Sequence, residues 1–174
     1  MIWQLRQPAG FYGNLGAGGG HGFGNVFRSL PPNTTALYAC WYTKFSNPYY
    51  IHPISHKYMN VFTSNGNAFY VQLARYGNYW EALDGASDYP FPTLVNQAPA
   101  LDRWILQEVQ IVVGNPGIVR VWIDGQLRTE GTNHAVAAGA TLQEFGLFGH
   151  MGGGGFSLTV DQYQYFDHIV LATP

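Results

Sequence analysis

The sequence predicts an all-β fold, a two-sheet antiparallel jelly-roll sandwich, and three observations carry that prediction. The long apolar patterns alternate with a period of two, as in strands with one buried face. Turn signals built on Gly, Pro and Asn recur between those runs. No stretch sustains a helical period before a Gly or Pro interrupts it, so no helical crossover is expected. At 174 residues the chain is longer than a minimal sandwich of about 100 residues and fits one domain spanning 1–174.

Residues 1–8 read as a short edge strand in which Ile2 and Leu5 offer apolar contacts. Residues 8–24 are Gly-rich, with the densest run from Gly16 to Gly24. A phosphate loop would need a following Lys-Ser/Thr pair and a dinucleotide turn a following helix; neither is present, which leaves a surface loop. Asn33-Thr34-Thr35 is a glycosylation acceptor pattern, meaningful only on a eukaryotic secretory route. Residues 37–45 are rich in strand formers, with Leu37, Ala39, Trp41, Thr43 and Phe45 on one face. Tyr38, Cys40, Tyr42 and Lys44 take the other. After a polar, aromatic loop over 46–55, residues 57–63 and 68–75 form strands joined by an Asn65-Gly66 turn. Residues 76–103, with Pro90, Pro92 and Pro99 among aromatics, are expected to be irregular, and a loop of that length is usually functional.

The central feature is the hairpin over residues 104–127. Its first strand places Ile105, Val109, Ile111 and Val113 on one face, with Gln107 the lone polar interruption. After the Gly114-Asn115-Pro116-Gly117 turn, the second strand places Val119, Val121 and Ile123 on one face and ends in Asp124-Gly125, a tight-turn signal. The decorated faces carry Glu108 and Gln110 on one strand, and Arg120 and Trp122 on the other. Residues 131–139 are expected to form a loop and 142–148 a strand. A second Gly run over 150–155, a short strand over 157–159 and a closing strand over 165–172 complete the chain.

Charged residues make up 10% of the chain and aromatics 16%, against a usual charged share of about 25%. The surface must rely on Tyr, Asn, Gln, Ser, Thr and Gly, which suits a glycan or a multi-subunit array. A net charge of −2 with no Lys/Arg cluster argues against nucleic acid. Cys40 stands alone, so no internal disulfide or cysteine-based metal site is expected, and a buried inert thiol is the plain expectation. The N-terminus has no basic region followed by an apolar one, and no run reaches membrane-span length. The expectation is therefore a domain of a larger exported protein, or a whole protein released by lysis to an extracellular or virion-surface location.

Several segments together carry a family resemblance. They are the Leu37-Tyr38 to Trp41 to Phe45-Ser46 strand, the Trp104 to Glu108 opening and the strand from Gly117 to Gly125. The Gly152-Gly153 loop and Phe166-Asp167-His168-Ile169-Val170 complete the set. In this order they resemble the concanavalin A-like lectin/glucanase superfamily, especially its laminin-G-like and polysaccharide-lyase-like branches, over roughly residues 37–174. The resemblance implies a jelly roll whose concave sheet holds a saccharide, in some members with calcium on the outer surface. Function does not follow from such a scaffold, which hosts lectins, glycosidases, lyases and structural domains.

The glycosidases of that group resemble one another in a Glu-x-Asp-x-(x)-Glu strand. No such spacing occurs here, and glycoside hydrolysis needs two carboxylates at one bond. The lyases of the group imply a Tyr or His base beside an Arg, Gln or Asn that neutralises a uronate. Tyr70, Gln72, Arg120 and His168 are of suitable types, although the strand motifs of alginate lyases are absent.

The residues selected for ligand binding are Tyr42, Lys44, Tyr70, Gln72, Glu108, Gln110, Arg120 and Trp122, with none catalytic. Trp122 would stack on a sugar ring while Arg120 and Gln110 bind hydroxyls or a carboxylate. Three decorated strands side by side would form a groove. The structural alternative is a cross-strand ion pair and an aromatic covering the outer sheet. His52 and His56 flank Pro53, which excludes a helical zinc face. Asp84 and Asp88 match no calcium loop, so no cofactor is required and calcium enters only through the resemblance. No nucleophile elbow is present. The leading expectation is a non-catalytic carbohydrate-binding or surface-display module. Its alternatives are a virion decoration or other self-assembling structural protein, and a polysaccharide lyase acting on a uronate-containing glycan.

Overall fold

The computed structural model describes residues 1–10, 25–51, 55–66, 68–73, 79–84, 89–90, 95–96, 99–132, 135–152 and 158–174. These residues form thirteen strands and no helix. In chain order they are β1 (Trp3–Gln7), β2 (Val26–Ser29), β3 (Ala36–Phe45), β4 (Ser55–Thr63), β5 (Ala68–Leu73), β6 (Tyr79–Asp84), β7 (Tyr89–Pro90), β8 (Val95–Asn96), β9 (Ile105–Val112), β10 (Ile118–Ile123), β11 (Gln126–Gly131), β12 (Leu142–Gly152) and β13 (Gln162–Ala172). A six-stranded sheet has the order β1-β13-β3-β9-β10-β11, and a seven-stranded sheet has the order β2-β12-β4-β5-β6-β7, with β8 also paired to β6. Neighbouring strands are antiparallel throughout both sheets.

Period-two alternation determines which side chains fill the space between the sheets. On β3, Leu37, Ala39, Trp41, Thr43 and Phe45 are buried, and on β9 so are Ile105, Gln107, Val109 and Ile111. Val119, Val121 and Ile123 continue the layer from β10. The opposing sheet contributes Tyr58, Met59 and Val61 from β4, Phe69 and Val71 from β5, and Phe145 and Leu147 from β12 to the same cluster. Trp41 meets Phe145 across the interior edge-to-face, with centroids 5.7 Å apart and planes at 60°. Such a pair adds about 1 kcal/mol beyond its buried area. The fold is thus the expected two-sheet sandwich, with the facing assigned from sequence on β3, β9 and β10.

The hairpin turns obey their chemistry. Asp124 and Gly125 both have positive φ, 51° and 73°, as a type I′ turn between twisted strands requires. The Asp124 carboxylate accepts from Arg103 at 2.6 Å and from the Leu106 amide at 3.1 Å, clamping the turn to β9. Gly117 lies against Val136, so closely that a β-carbon there would stand 2.5 Å from the Val136 β-carbon and 2.7 Å from the Val112 carbonyl oxygen.

Four expectations need correction. Residues 76–103 are not uniformly irregular, because β6, β7 and β8 lie within them and extend the seven-stranded sheet. The prolines concealed this, yet Pro90 occupies a two-residue strand on the sheet edge, where a missing N–H is tolerated. β2 was hidden by its four-residue length, and β12 runs on through Gly149 and Gly152. Leu158 and Thr159 belong to no strand. Cys40 is half-buried on the outward face of β3 rather than in the core, and burial together with the Glu108 charge raises its thiol pKa. The Gly-rich run from Gly16 to Gly24, His52 and Asp88 lie outside the described residues.

A buried polar network at one end of the core has no signal in the sequence pattern. Gln162 donates to the Gln7 side-chain oxygen at 2.6 Å and to the Tyr50 carbonyl at 3.1 Å, while accepting from the Tyr50 amide at 2.7 Å. Gln164 donates to the Thr43 hydroxyl at 3.1 Å and accepts from the Tyr49 hydroxyl at 3.4 Å. The Tyr49 hydroxyl also lies 3.0 Å from His56 Nε2. Burial drives the Tyr49 phenol far above its ordinary pKa, so it remains protonated. The network joins β1, β3 and β13 of one sheet to β4 of the other. Replacing Gln162 by Leu orphans the buried groups it serves, and a loss of about 3 kcal/mol in denaturant unfolding is expected. A midpoint matching the parent would contradict a structural role for the network.

Candidate functional site

The eight residues expected to bind ligand are divided between two sheets. Tyr42 and Lys44 on β3, Glu108 and Gln110 on β9, and Arg120 and Trp122 on β10 share the outer face of the six-stranded sheet, where these strands are neighbours. Tyr70 and Gln72 lie on β5, in the other sheet. The expected groove of three adjacent strands is therefore corrected: periodicity gives the face of a residue within its strand but not the sheet to which the strand belongs.

On the six-stranded face much of the polar chemistry is already engaged internally. Arg120 stands opposite Gln110 and Glu130 in the strand register. Its Nε donates to Glu130 Oε1 at 2.5 Å and a terminal nitrogen donates to Gln110 Oε1 at 3.1 Å. The ionic partner of Arg120 is thus Glu130 on β11, while Gln110 stands across from it on β9 and Glu108 across from Trp122. Glu108 instead accepts a short hydrogen bond from the Tyr38 hydroxyl. That bond, with burial and the Glu108 charge, raises the Tyr38 phenol well above its ordinary value. The Lys44 ammonium lies 5.0 Å from the Tyr165 ring centroid and 5.7 Å from that of Trp104. Tyr42 meets His168 edge-on at 6.0 Å. His168 occupies a bulge in β13 at φ 50°, paired with Asp167, and is remote in the topology from Tyr70 and Gln72.

The outer face of the seven-stranded sheet has a different character. Met59 and Val61 fill the core, so Asn60 between them belongs to the outer face. The register sets Phe27, Gly146, Asn60, Tyr70 and Leu83 in one row across β2, β12, β4, β5 and β6. A second row carries His150, Lys57, Gln72 and Glu81. Between the rows β4 bulges: Tyr58 is extra relative to β5, and both Tyr58 and Met59 are buried in the core cluster. The bulge restores Lys57 to the same face as Asn60. The sequence pattern points to Tyr70 and Gln72 but misses Lys57, Asn60 and His150. Asn60 is concealed in an apolar strand, and the register linking β12 to β4 is not a sequence property.

Asn60 is the informative residue. It is only 7% exposed although it lies on an outer face, and its Oδ1 has no hydrogen-bond partner among the described residues. Leaving a buried amide oxygen unsatisfied costs about 1–3 kcal/mol. An amide held in this way offers an acceptor for a hydroxyl and donors for a carboxylate. Among the described residues, two shallow clefts of about 420 and 390 Å³ lie around Leu30 and Pro31. Among the described residues no group of three or more His, Cys, Asp or Glu is arranged to hold a metal ion, and no helix is long and apolar enough to cross a membrane.

No family model and no curated protein matches the sequence. Among solved structures the chain is similar to the alginate lyase vAL-1 from Chlorella virus, with a TM-score of 0.72 and 12% identity over 99% of this chain and 85% of that one. It is similar to a variant of the alginate lyase Aly36B in complex with an alginate trisaccharide, with a TM-score of 0.71 and 12% identity over 98% and 81% of the two chains. It is also similar to an endo-β-1,4-glucuronan lyase from the fungus Trichoderma reesei, with a TM-score of 0.68 and 12% identity over 99% and 80%. These likenesses establish the fold as a concanavalin A-like jelly roll.

If Asn60 is held for a ligand rather than for the fold, Asn60→Leu removes an unsatisfied amide while keeping the branching of the side chain. Stability is expected to be unchanged or to rise by up to about 2 kcal/mol, as is common where function and stability conflict. Denaturant unfolding measures this, and a loss of several kcal/mol would make Asn60 a structural residue.

Proposed function

We propose that the chain binds a uronate-containing polysaccharide on the outer face of its seven-stranded sheet and cleaves it by β-elimination. The observation that supports this reading is the strand register, which pairs Asn60 with Tyr70 and sets His150, Lys57 and Gln72 in the neighbouring row, together with a buried Asn60 oxygen unsatisfied among the described residues. The solved structures of similar fold include lyases of alginate and of glucuronan, both acidic glycans, which supports the same substrate class.

The chemistry requires three tasks. The uronate carboxylate must be neutralised, so that the proton on C5 beside it becomes acidic enough to remove. In the proposed assignment Asn60 and Gln72 hydrogen-bond the carboxylate and Lys57 supplies the positive charge. A base then takes the C5 proton, the bond from C4 to the glycosidic oxygen breaks, and the electron pair forms the C4–C5 double bond. The departing oxygen receives a proton. Tyr70 and His150 are residue types suited to the two proton transfers. The step consumes no water and involves no net oxidation, and it needs no paired carboxylates, which the sequence does not supply in glycosidase spacing. Action on a polymer too large to cross a membrane would place the work of the protein outside the cell.

Alginate and glucuronan incubated with the protein should develop the ultraviolet band of an unsaturated uronate. Tyr70→Phe and Asn60→Leu should each reduce that rate about a hundredfold or more, while Arg120→Ala on the opposite sheet should leave it unchanged. Polymer bound with no unsaturated product would overturn elimination and identify a non-catalytic glycan-binding protein. Loss of activity in Arg120→Ala with the fold intact would move the site to the other sheet.

A further inference from the structure

The row that holds Asn60 ends at the sheet edge in an aromatic side chain. Phe27 on β2 is 46% exposed. Its ring stacks on Phe148, with centroids 6.0 Å apart and planes at 22°, and Phe148 is itself buried at 4% exposure. The glycine next to it in the row makes this arrangement possible. A β-carbon on Gly146 would stand 2.5 Å from two carbons of the Phe27 ring, so any other residue would displace the ring from the sheet. Phe27 is thus supported by Phe148 and Gly146 while nearly half of it remains open to solvent, although a short edge strand could be protected from misassociation without a large exposed apolar group.

We propose that Phe27 is a stacking platform for a pyranose ring of the same polysaccharide chain, forming a binding subsite at the β2 end of the Asn60 row. The ligand class follows from continuity with the Asn60 row: Phe27 lies two strand intervals from Asn60, about 10 Å, so a ring at Asn60 and a ring on Phe27 leave room for a sugar between them and a disaccharide does not span both. A sugar ring presents an apolar C–H face to an aromatic while its hydroxyls remain solvated, which matches a half-open phenyl ring. Phe27 takes no part in proton transfer. It sets the length of chain that is held, and so the preference for longer oligosaccharides.

This inference rests on the polyuronate reading, and the experiment separates the two. Binding of alginate and glucuronan oligosaccharides of increasing length is measured calorimetrically for the parent, Phe27→Ala, Phe27→Trp and Gly146→Ala, with thermal unfolding recorded for each. The parent should bind longer oligomers more tightly than the disaccharide. Phe27→Ala should weaken the longer oligomers about tenfold and leave the disaccharide unaffected, and Phe27→Trp should retain the parent's length dependence. Gly146→Ala should weaken the longer oligomers with Phe27 still present. Parent-like affinity of Phe27→Ala at every length, or an equal loss at every length, would overturn the subsite while leaving the polyuronate reading intact. A parent that binds none of these oligomers would overturn both.

Discussion

The edge-to-face contact between Trp41 and Phe145 is the constraint on which most of this molecule depends. One ring comes from β3 and the other from β12, the two sheets meet there, and both side chains are almost fully buried. Because strand side chains alternate, placing Trp41 inside also places Ala39, Thr43 and Phe45 inside and turns Tyr42 and Lys44 outward. Placing Phe145 inside turns Gly146 outward beside Asn60 and beneath Phe27. A slip of one residue on either strand would put the polar face into the core and the aromatic core into water. The proposed binding face is therefore the reverse side of the packing that makes the fold.

The facing of residues within strands was legible in the sequence, whereas the lateral order of strands was not. The alternation of β3, β9 and β10 and the Asp124-Gly125 turn follow from local chemistry, and each appears as expected. That β5 lies two positions from β12 in one sheet while β10 lies in the other is a consequence of crossovers, which leave no local signal. Tyr70 and Gln72 are therefore legible by composition and period, yet group in sequence with Arg120 and Trp122, whose face belongs to the opposite sheet. Asn60 and Lys57 are illegible for another reason. A bulge at Tyr58 breaks the alternation of β4, and a simple period-two reading of that strand assigns Lys57 and Asn60 to opposite faces.

Polar groups inside a protein are informative when sorted by whether they are satisfied. Gln7, Gln162, Gln164 and Thr43 are fully buried, yet each takes part in hydrogen bonds that join strands distant in sequence, as expected of structural polar residues. Asn60 is buried nearly as deeply as many core residues with its oxygen unpaired among the described residues, and it faces away from the core. Gln107 is also buried with neither amide atom hydrogen-bonded among the described residues, but on the inner face, and nothing in the structure explains it. Among these residues only Asn60 combines an unsatisfied group with an outward position and a neighbouring row that carries Lys57 and Gln72, a conjunction expected where folding consistency yields to function.

The most direct test asks which sheet face meets the glycan. Backbone amide resonances of the isotopically labelled protein would be followed while an alginate or glucuronan oligosaccharide is added. The expected result is a set of shifts confined to β2, β4, β5 and β12 and centred on Lys57, Asn60 and Gly146, with β9 and β10 unmoved. Shifts centred instead on Tyr42, Lys44, Arg120 and Trp122 would contradict the assignment and return the site to the six-stranded sheet.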